Sequence, residues 1–234
     1  MNSVIVSTNA IINLNELEVI NLKTILILGA AGQISTYLTD ELLKNTDYQI
    51  KLLAHRGKSR IKIKDSNREK VIEGDFGDQQ TISNALDGVD AVYLNEMRDI
   101  NDVTTLVNEM SAHDVHKLIA ATVLGIQDEV KGKFGDWNTS MIASSIAKRK
   151  QTAAVVESSD LDYTLLRLAW LFNNDAKTDY ETTASGTPFG GTEVSRQAVA
   201  KLIVNILTDD SNQFSRQSIG VNEPNTQGNK PSFY

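Results

Sequence analysis

An apolar run that breaks on a glycine, passes two small residues and a second glycine, and turns into a helix leaves a chain few folds to choose from. Here the run is Thr24-Ile-Leu-Ile-Leu, followed by Gly29-Ala-Ala31-Gly32-Gln33-Ile34, with Ile34, Leu38 and Leu42 at four-residue spacing behind it. Gly29 lets the chain leave the strand in a tight turn, and Gly32 lets backbone come close to a pyrophosphate. The free N–H groups and positive dipole end of the helix then face the anion. Ser35 stands where the usual fingerprint has a third glycine, and a small hydroxyl residue still allows close helix–strand packing. The plainer alternative is an unliganded βα turn. Position at the head of a repeated βα pattern favours the phosphate loop.

That pattern continues. Thr24–Leu28, Gln49–Ala54, Lys70–Ile72, Ala91–Leu94, Lys117–Ala121 and Tyr163–Leu166 read as strands, with helices at about 33–44, 78–87, 100–113 and 140–158. Alternation of this kind predicts an α/β fold, a doubly wound parallel sheet with helices on both faces. Residues 1–22 lack a clean period and form either a mobile extension or an added edge strand. Residues 23–234 read as one domain. Within it, 172–193 read as a long loop beyond the C-terminal strand ends, where ligands bind in such sheets. A helix at about Ser195–Leu207 follows, and the tail 222–234, with Pro224, Gly228 and Pro231, reads as irregular. The loop and the tail together make a small C-terminal, substrate-side lobe.

Charge separates the coenzymes. NAD sites usually set an acidic residue at the end of the second strand, for the ribose 2′-OH. Here that strand runs into His55-Arg56-Gly57-Lys58-Ser59-Arg60, and no carboxylate appears before Asp65. Residues 51–70 hold eight Lys or Arg against two Asp or Glu, a formal +6 within a chain of net charge −7. A guanidinium grips a phosphate through two hydrogen bonds, so Arg56 reads as the 2′-phosphate clamp and the coenzyme as NADP(H). Lys62–Lys70 fit a solvated basic loop equally well. The overall negative charge argues against nucleic acid as a direct partner, and no apolar stretch is long enough for a membrane helix. Without cysteine there is no disulfide, Cys–zinc site or Cys nucleophile. The N-terminus lacks a basic n-region, which places the protein in the cytoplasm as an expectation.

Further along stand Glu73-Gly-Asp75, Leu86-Asp-Gly88-Val-Asp90-Ala-Val, Thr122-Val-Leu-Gly125-Ile, Ser159-Asp-Leu-Asp162-Tyr-Thr164-Leu-Leu-Arg167 and Gly191-Thr-Glu-Val-Ser195-Arg196. In this order and spacing, together with the glycine loop, they resemble the atypical short-chain dehydrogenase/reductase family, in its NmrA-like, NAD(P)H-binding subgroup, over roughly residues 23–208. The resemblance implies a single Rossmann-type domain that binds NADP(H). It implies that Gly29, Ala31, Gly32, Gln33, Ile34 and Arg56 line the pyrophosphate and adenosine site. It further implies that Asp75 and Phe76 lie near the adenine, Asn95 near the nicotinamide-side ribose and Thr122 near the nicotinamide. Read from position alone, Thr122 either faces the coenzyme cleft from the end of the fifth strand or caps a turn.

Short-chain reductases commonly pair a serine with a Tyr-x-x-x-Lys helix, whose tyrosine supplies the proton that accompanies hydride transfer. The matching helix here reads Ser144-Ser-Ile-Ala-Lys148-Arg-Lys150, and Ser144, Ser145 and Ile146 stand four residues before the three basic residues. The usual donor is therefore missing. Thr122, Tyr180 in the long loop and Lys148 are the remaining candidates for catalytic roles, and the plainer account of Tyr180 is an exposed loop aromatic. His113-Asp-Val-His116 has metal-like spacing, but a helix-end position and too few ligands leave no metal site expected. Two functions follow. One is an NADP(H)-dependent oxidoreductase that transfers hydride to a small carbonyl, quinone or flavin-like acceptor. The other is a non-catalytic NADP(H)-binding sensor of NmrA type. Beyond a small-molecule substrate, the partners expected are a second copy in a homodimer or a regulatory protein.

Overall fold

The computed structural model describes residues 5–7, 10–13 and 18–234. Three short strands, β1 (Ile5–Ser7), β2 (Ala10–Asn13) and β3 (Glu18–Asn21), pair antiparallel among themselves. They do not add an edge to the main sheet, so that expectation is corrected. The remaining leader positions, 1–4, 8–9 and 14–17, lie outside the described residues, and with them the expectation of a mobile extension.

The main sheet uses β4 (Thr24–Leu28), β5 (Gln49–Ala54), β6 (Glu69–Glu73), β7 (Ala91–Leu94), β8 (Lys117–Val123), β9 (Asp162–Leu168), β11 (Glu181–Thr183) and β13 (Gln217–Asn222). Their order is β11-β13-β9-β8-β7-β4-β5-β6, parallel throughout except for the edge strand β11. Helices α1 (Gln33–Asn45) and α6 (Arg196–Thr208) cover one face. Helices α3 (Gln79–Leu86), α4 (Ile100–Ala112) and α5 (Gly132–Glu157) cover the other, and α2 (Gly57–Arg60) is a single turn after β5.

Every residue of β4 is buried, as expected of a central parallel strand covered on both faces. Its side chains alternate: Ile25 and Ile27 join Leu38, Leu42 and Ile203 under α1 and α6, while Leu26 and Leu28 join Ile82, Leu106 and Val156 under α3–α5. Each such side chain contributes about 1.5–3 kcal/mol of burial, so a one-residue slip of β4 would exchange its two cores. The order reverses between β4 and β7, and the chain enters and leaves the sheet there on opposite faces, which opens a crevice at the strand C-termini.

Three elements differ from expectation. Strand β13 was not foreseen, although Ser218–Asn222 are buried. Gly220 in its middle weakens the strand pattern, yet a Cβ there would sit 2.7 Å from the Phe189 ring, so the glycine marks close packing rather than a break. Helix α5 begins at Gly132 rather than near 140, because Phe134 and Trp137 anchor a first turn that its glycines conceal. The stretch 172–193 is not one loop. It carries β11, and its end forms β12 (Glu193–Ser195), which pairs in parallel with β10 (Trp170–Phe172) as a small separate sheet. Among the described residues no helix is long and apolar enough to cross a membrane.

Candidate functional site

The turn after β4 is built for close approach. Gly29 holds φ +75°, where only glycine sits without strain, and its N–H and that of Ala30 donate to Leu53 O at 3.1 and 3.0 Å. A Cβ on Gly32 would lie 2.5 Å from Asn95 Nδ2 and 3.1 Å from Gly29 O. Ser35, at the third-glycine position, is buried and donates through Oγ to Gly29 O at 3.0 Å. It therefore ties the turn together instead of merely making room. No side chain caps the start of α1, which leaves its first amides free for an anion. The cradle fits a dinucleotide pyrophosphate.

Two cavities flank this turn. One of about 380 Å³ is lined by Gly29, Ala31, Gly32, His55, Arg60, Asp75 and Phe76. The other, of about 550 Å³, is lined by Gln33, Ile34, Thr122, Arg149, Arg196 and an apolar wall that includes Trp170. Asn95, Glu96 and Arg98 belong to both. Nine of the expected positions, Gly29, Ala31, Gly32, Gln33, Ile34, Asp75, Phe76, Asn95 and Thr122, thus line one or the other of two adjoining cavities of the crevice. Thr122 is buried at the end of β8, and its Oγ1 has no hydrogen-bond partner among the described residues. It caps no turn. Tyr93, buried under Asn95, donates to Asn95 Oδ1 at 3.3 Å. Burial pushes its phenol far above the ordinary range, so it stays a neutral donor that orients the amide.

Other positions fall elsewhere. Arg56 is exposed, takes φ +52° as the residue that opens α2, and does not line the crevice, whereas Arg60 does. Lys148 is exposed on α5, and the next residue, Arg149, turns into the larger cavity and pairs with Glu96 at 3.0 Å. Arg98 pairs with the same carboxylate. Ser145, four residues before Arg149, donates to Ile142 O at 3.1 Å. The helical face carrying Ile142 and Arg149 was readable only once the orientation of α5 was known. Tyr180 packs against the α1–α6 core, and its hydroxyl accepts from Asn205 Nδ2 at 2.7 Å. It does not reach the crevice, since β11 pins the chain to the sheet edge, and the expectation of a proton donor there is corrected. Asn205 instead borders a separate polar depression of about 860 Å³ outside α1 and α6.

Several contributors were missed from sequence. Arg196 opens α6 and donates to Asn173 Oδ1 at 3.0 Å, and Asn173 donates to Gln33 Oε1 at 3.0 Å. Burial lowers its guanidinium from the usual value. The tail folds back, held by Ser232 Oγ on Glu193 Oε1 at 2.8 Å, and delivers Phe233 and Tyr234 to the larger cavity. Ring centroids lie 4.8 Å apart for Trp137 and Trp170, 5.2 Å for Trp170 and Tyr234, and 5.4 Å for Phe233 and Tyr234. Behind Thr122, Glu129 accepts from Gly125 N at 2.9 Å and Gln127 N at 3.0 Å and pairs with the buried Arg167 at 2.7 Å. That pair fixes the loop after β8. His113 meets Ser83 Oγ at 2.8 Å and His116 meets Asp114 at 2.9 Å, so the two rings do not converge.

A glycine-cradled crevice at the switch point of a doubly wound sheet defines a dinucleotide-binding protein of the Rossmann class. Residues 29–210 match the family described as NAD(P)H-binding, and the chain belongs to that family, in line with the resemblance to atypical short-chain dehydrogenases/reductases. A short-chain dehydrogenase/reductase from Veillonella parvula DSM 2008, solved in complex with NADP, is 38% identical with a TM-score of 0.87 over 90% of this chain and 99% of that one. A Rossmann-fold NAD(P)-binding family protein from Shigella flexneri is 32% identical with a TM-score of 0.75, over 91% of this chain and all of the other. An anaerobillin reductase from Escherichia coli O157:H7 shares the fold at 16% identity and a TM-score of 0.69, over 88% of this chain and 100% of that one. Comparison with curated proteins gives no significant match.

Proposed function

We propose that the protein is an NADP(H)-dependent oxidoreductase that reduces a small carbonyl, quinone or flavin-like acceptor. One observation carries this reading: two cavities meet at Asn95, Glu96 and Arg98 on either side of the glycine cradle, which suits the two halves of a dinucleotide with room for an acceptor beside one of them. NADPH bound there would supply the hydride. The chain would hold and orient it. The amides opening α1 receive the pyrophosphate, Asp75 and Phe76 border the adenosine half, and the buried Thr122 hydroxyl offers a hydrogen bond at the wall of the larger half. The aromatic wall gives that end of the cavity an apolar lining.

The preference for the 2′-phosphorylated coenzyme rests on Arg60 and His55 in the smaller cavity, with Arg56 adding charge from its exposed position beside them. Calorimetry with NADPH and NADH tests it. Arg60→Asp should abolish the preference for NADPH and Arg56→Asp should change it little. An unchanged ratio in both variants would refute the phosphate reading.

The position of Ser145, four residues before Arg149 where the family commonly has tyrosine, favours the second reading of a dinucleotide sensor, since serine is a far poorer acid than a phenol. NADPH oxidation against a panel of quinones, aldehydes and flavins separates the two. Turnover at the buffer background despite measurable NADPH binding decides for the sensor. Absence of binding overturns both.

A further inference from the structure

We propose that the larger cavity is built for a planar aromatic carboxylate, with Arg196 as its anion anchor and Trp170, Phe233 and Tyr234 as its stacking wall; this rests on the NADP(H)-dependent reading above and names the class of acceptor. Charge gives the first reason. The larger cavity is lined by the side chains of Arg98, Arg149 and Arg196 but by one side-chain carboxylate, Glu96. Glu96 is engaged by both Arg98 and Arg149. Among the described residues, no carboxylate lies within ion-pair distance of Arg196, whose guanidinium donates to Asn173 Oδ1. A guanidinium carries five N–H donors in a flat fork matched to a carboxylate, so most of this fork remains to be used. Partial burial disfavours the charge of that guanidinium, and an anionic ligand would relieve the penalty.

Place gives the second reason. Arg98 lines both cavities and stands where they join, next to the glycine cradle, whereas Arg149 and Arg196 line the larger one alone. The coenzyme's phosphates already have the amides of α1 and the basic residues of the smaller cavity. Arg196 reaches Gln33 at the start of α1 through Asn173, so it borders the cradle, and its remaining donors share the larger cavity with the aromatic wall.

Shape gives the third. Phe233 and Tyr234 are 46% and 50% exposed, unusual for rings that line a cavity and pack on other rings. Trp170 and Tyr234 meet nearly edge to face at 81°, which forms a corner whose open faces accept a further ring at the usual 4.5–7 Å separation. A flat ligand that stacks in this corner can direct a carboxylate to Arg196. An aliphatic acid would leave the ring faces unused, and a neutral ring would leave the guanidinium unused.

The two tryptophans of the chain, Trp137 and Trp170, are both in the ring cluster, so their indole N–H resonances in a ¹⁵N-labelled sample read the site directly. The full chain is first saturated with NADP⁺ and then titrated with naphthoate and with the neutral isostere naphthamide. The expected result is an indole shift with both ligands and an affinity at least about tenfold higher for the acid, equivalent to about 1.4 kcal/mol. Arg196→Gln should bring the ratio close to unity, and Arg196→Lys should restore part of it. Tyr234→Ala should weaken both ligands alike and leave the ratio intact, which a general loss of structure would not do. Equal binding of acid and amide, no indole response to either, or an Arg196→Gln variant that loses NADP⁺ affinity but keeps the ratio overturns the proposal. Failure of the NADP⁺ saturation step instead counts against the functional reading, and the same two titrations on coenzyme-free protein then still decide the anion anchor.

Discussion

Glu129→Ala is the substitution whose consequence is best fixed by the geometry. Glu129 and Arg167 have side chains 2% and 0% exposed and meet at 2.7 Å. Arg167 is the penultimate residue of β9, where its Nη2 also donates to Thr183 O and Ser218 O at 3.2 Å each. Removal of the carboxylate strands a guanidinium in the sheet with two carbonyls for partners and frees the amides of Gly125 and Gln127. Breaking a buried pair from one side costs about 3–5 kcal/mol. At about 2–4 °C per kcal/mol for a chain of this size, melting should fall by about 6–20 °C. Urea unfolding followed by circular dichroism measures the free energy, and a scan measures the temperature. Because Glu129 shapes the loop that follows Thr122, NADPH affinity of the folded variant should fall as well. The paired replacement Glu129→Leu with Arg167→Met should recover most of the stability, since two matched apolar side chains leave no orphaned charge. A loss below about 1 kcal/mol for the single variant, or a double variant as unstable as the single, would refute this account of the pair.

Two further outcomes follow from the same geometry. Gly32→Ala places a methyl 2.5 Å from Asn95 Nδ2, so the Asn95 side chain must move out of the crevice; calorimetry should show NADPH affinity reduced by about tenfold or more while the melting temperature changes little, and an unaltered affinity would count against the cradle. Burial, Asp99 and Asp75, in that order, raise the Asp102 carboxyl above its ordinary value. A raised acid favours the folded state while protonated, so this contribution is present below the unfolded carboxylate range of about 4 and is lost as pH rises through the folded value. Asp102→Asn should therefore be more stable than the parent at pH 7 and lose that advantage in acid, and a gap independent of pH in denaturant titrations would contradict it.

Much of this protein is written locally. The β4 run, the Gly29–Gly32 turn and the helical period of Ile34, Leu38 and Leu42 depend on neighbours a few residues away, and backbone sterics and burial act there whatever the rest of the chain does. Those residues set the fold class and five lining positions of the crevice, Gly29, Ala31, Gly32, Gln33 and Ile34, whereas Asp75, Phe76, Asn95 and Thr122 are implied by the family resemblance. What the sequence alone could not supply was direction and return. Whether Lys148 or Arg149 faces inward depends on how α5 is rotated against the sheet. Whether Tyr180 covers the crevice depends on β11 pairing with β13, a strand disguised by Gly220. The ring of Tyr234 reaches Trp170 and that of Phe233 reaches Phe172 across more than sixty positions of chain, and Arg167 finds Glu129 through the same long-range packing. Contacts of that kind are chosen by competition among packings of the whole molecule, so periodicity carries no trace of them and only the assembled tertiary structure decides which side chains share a cavity.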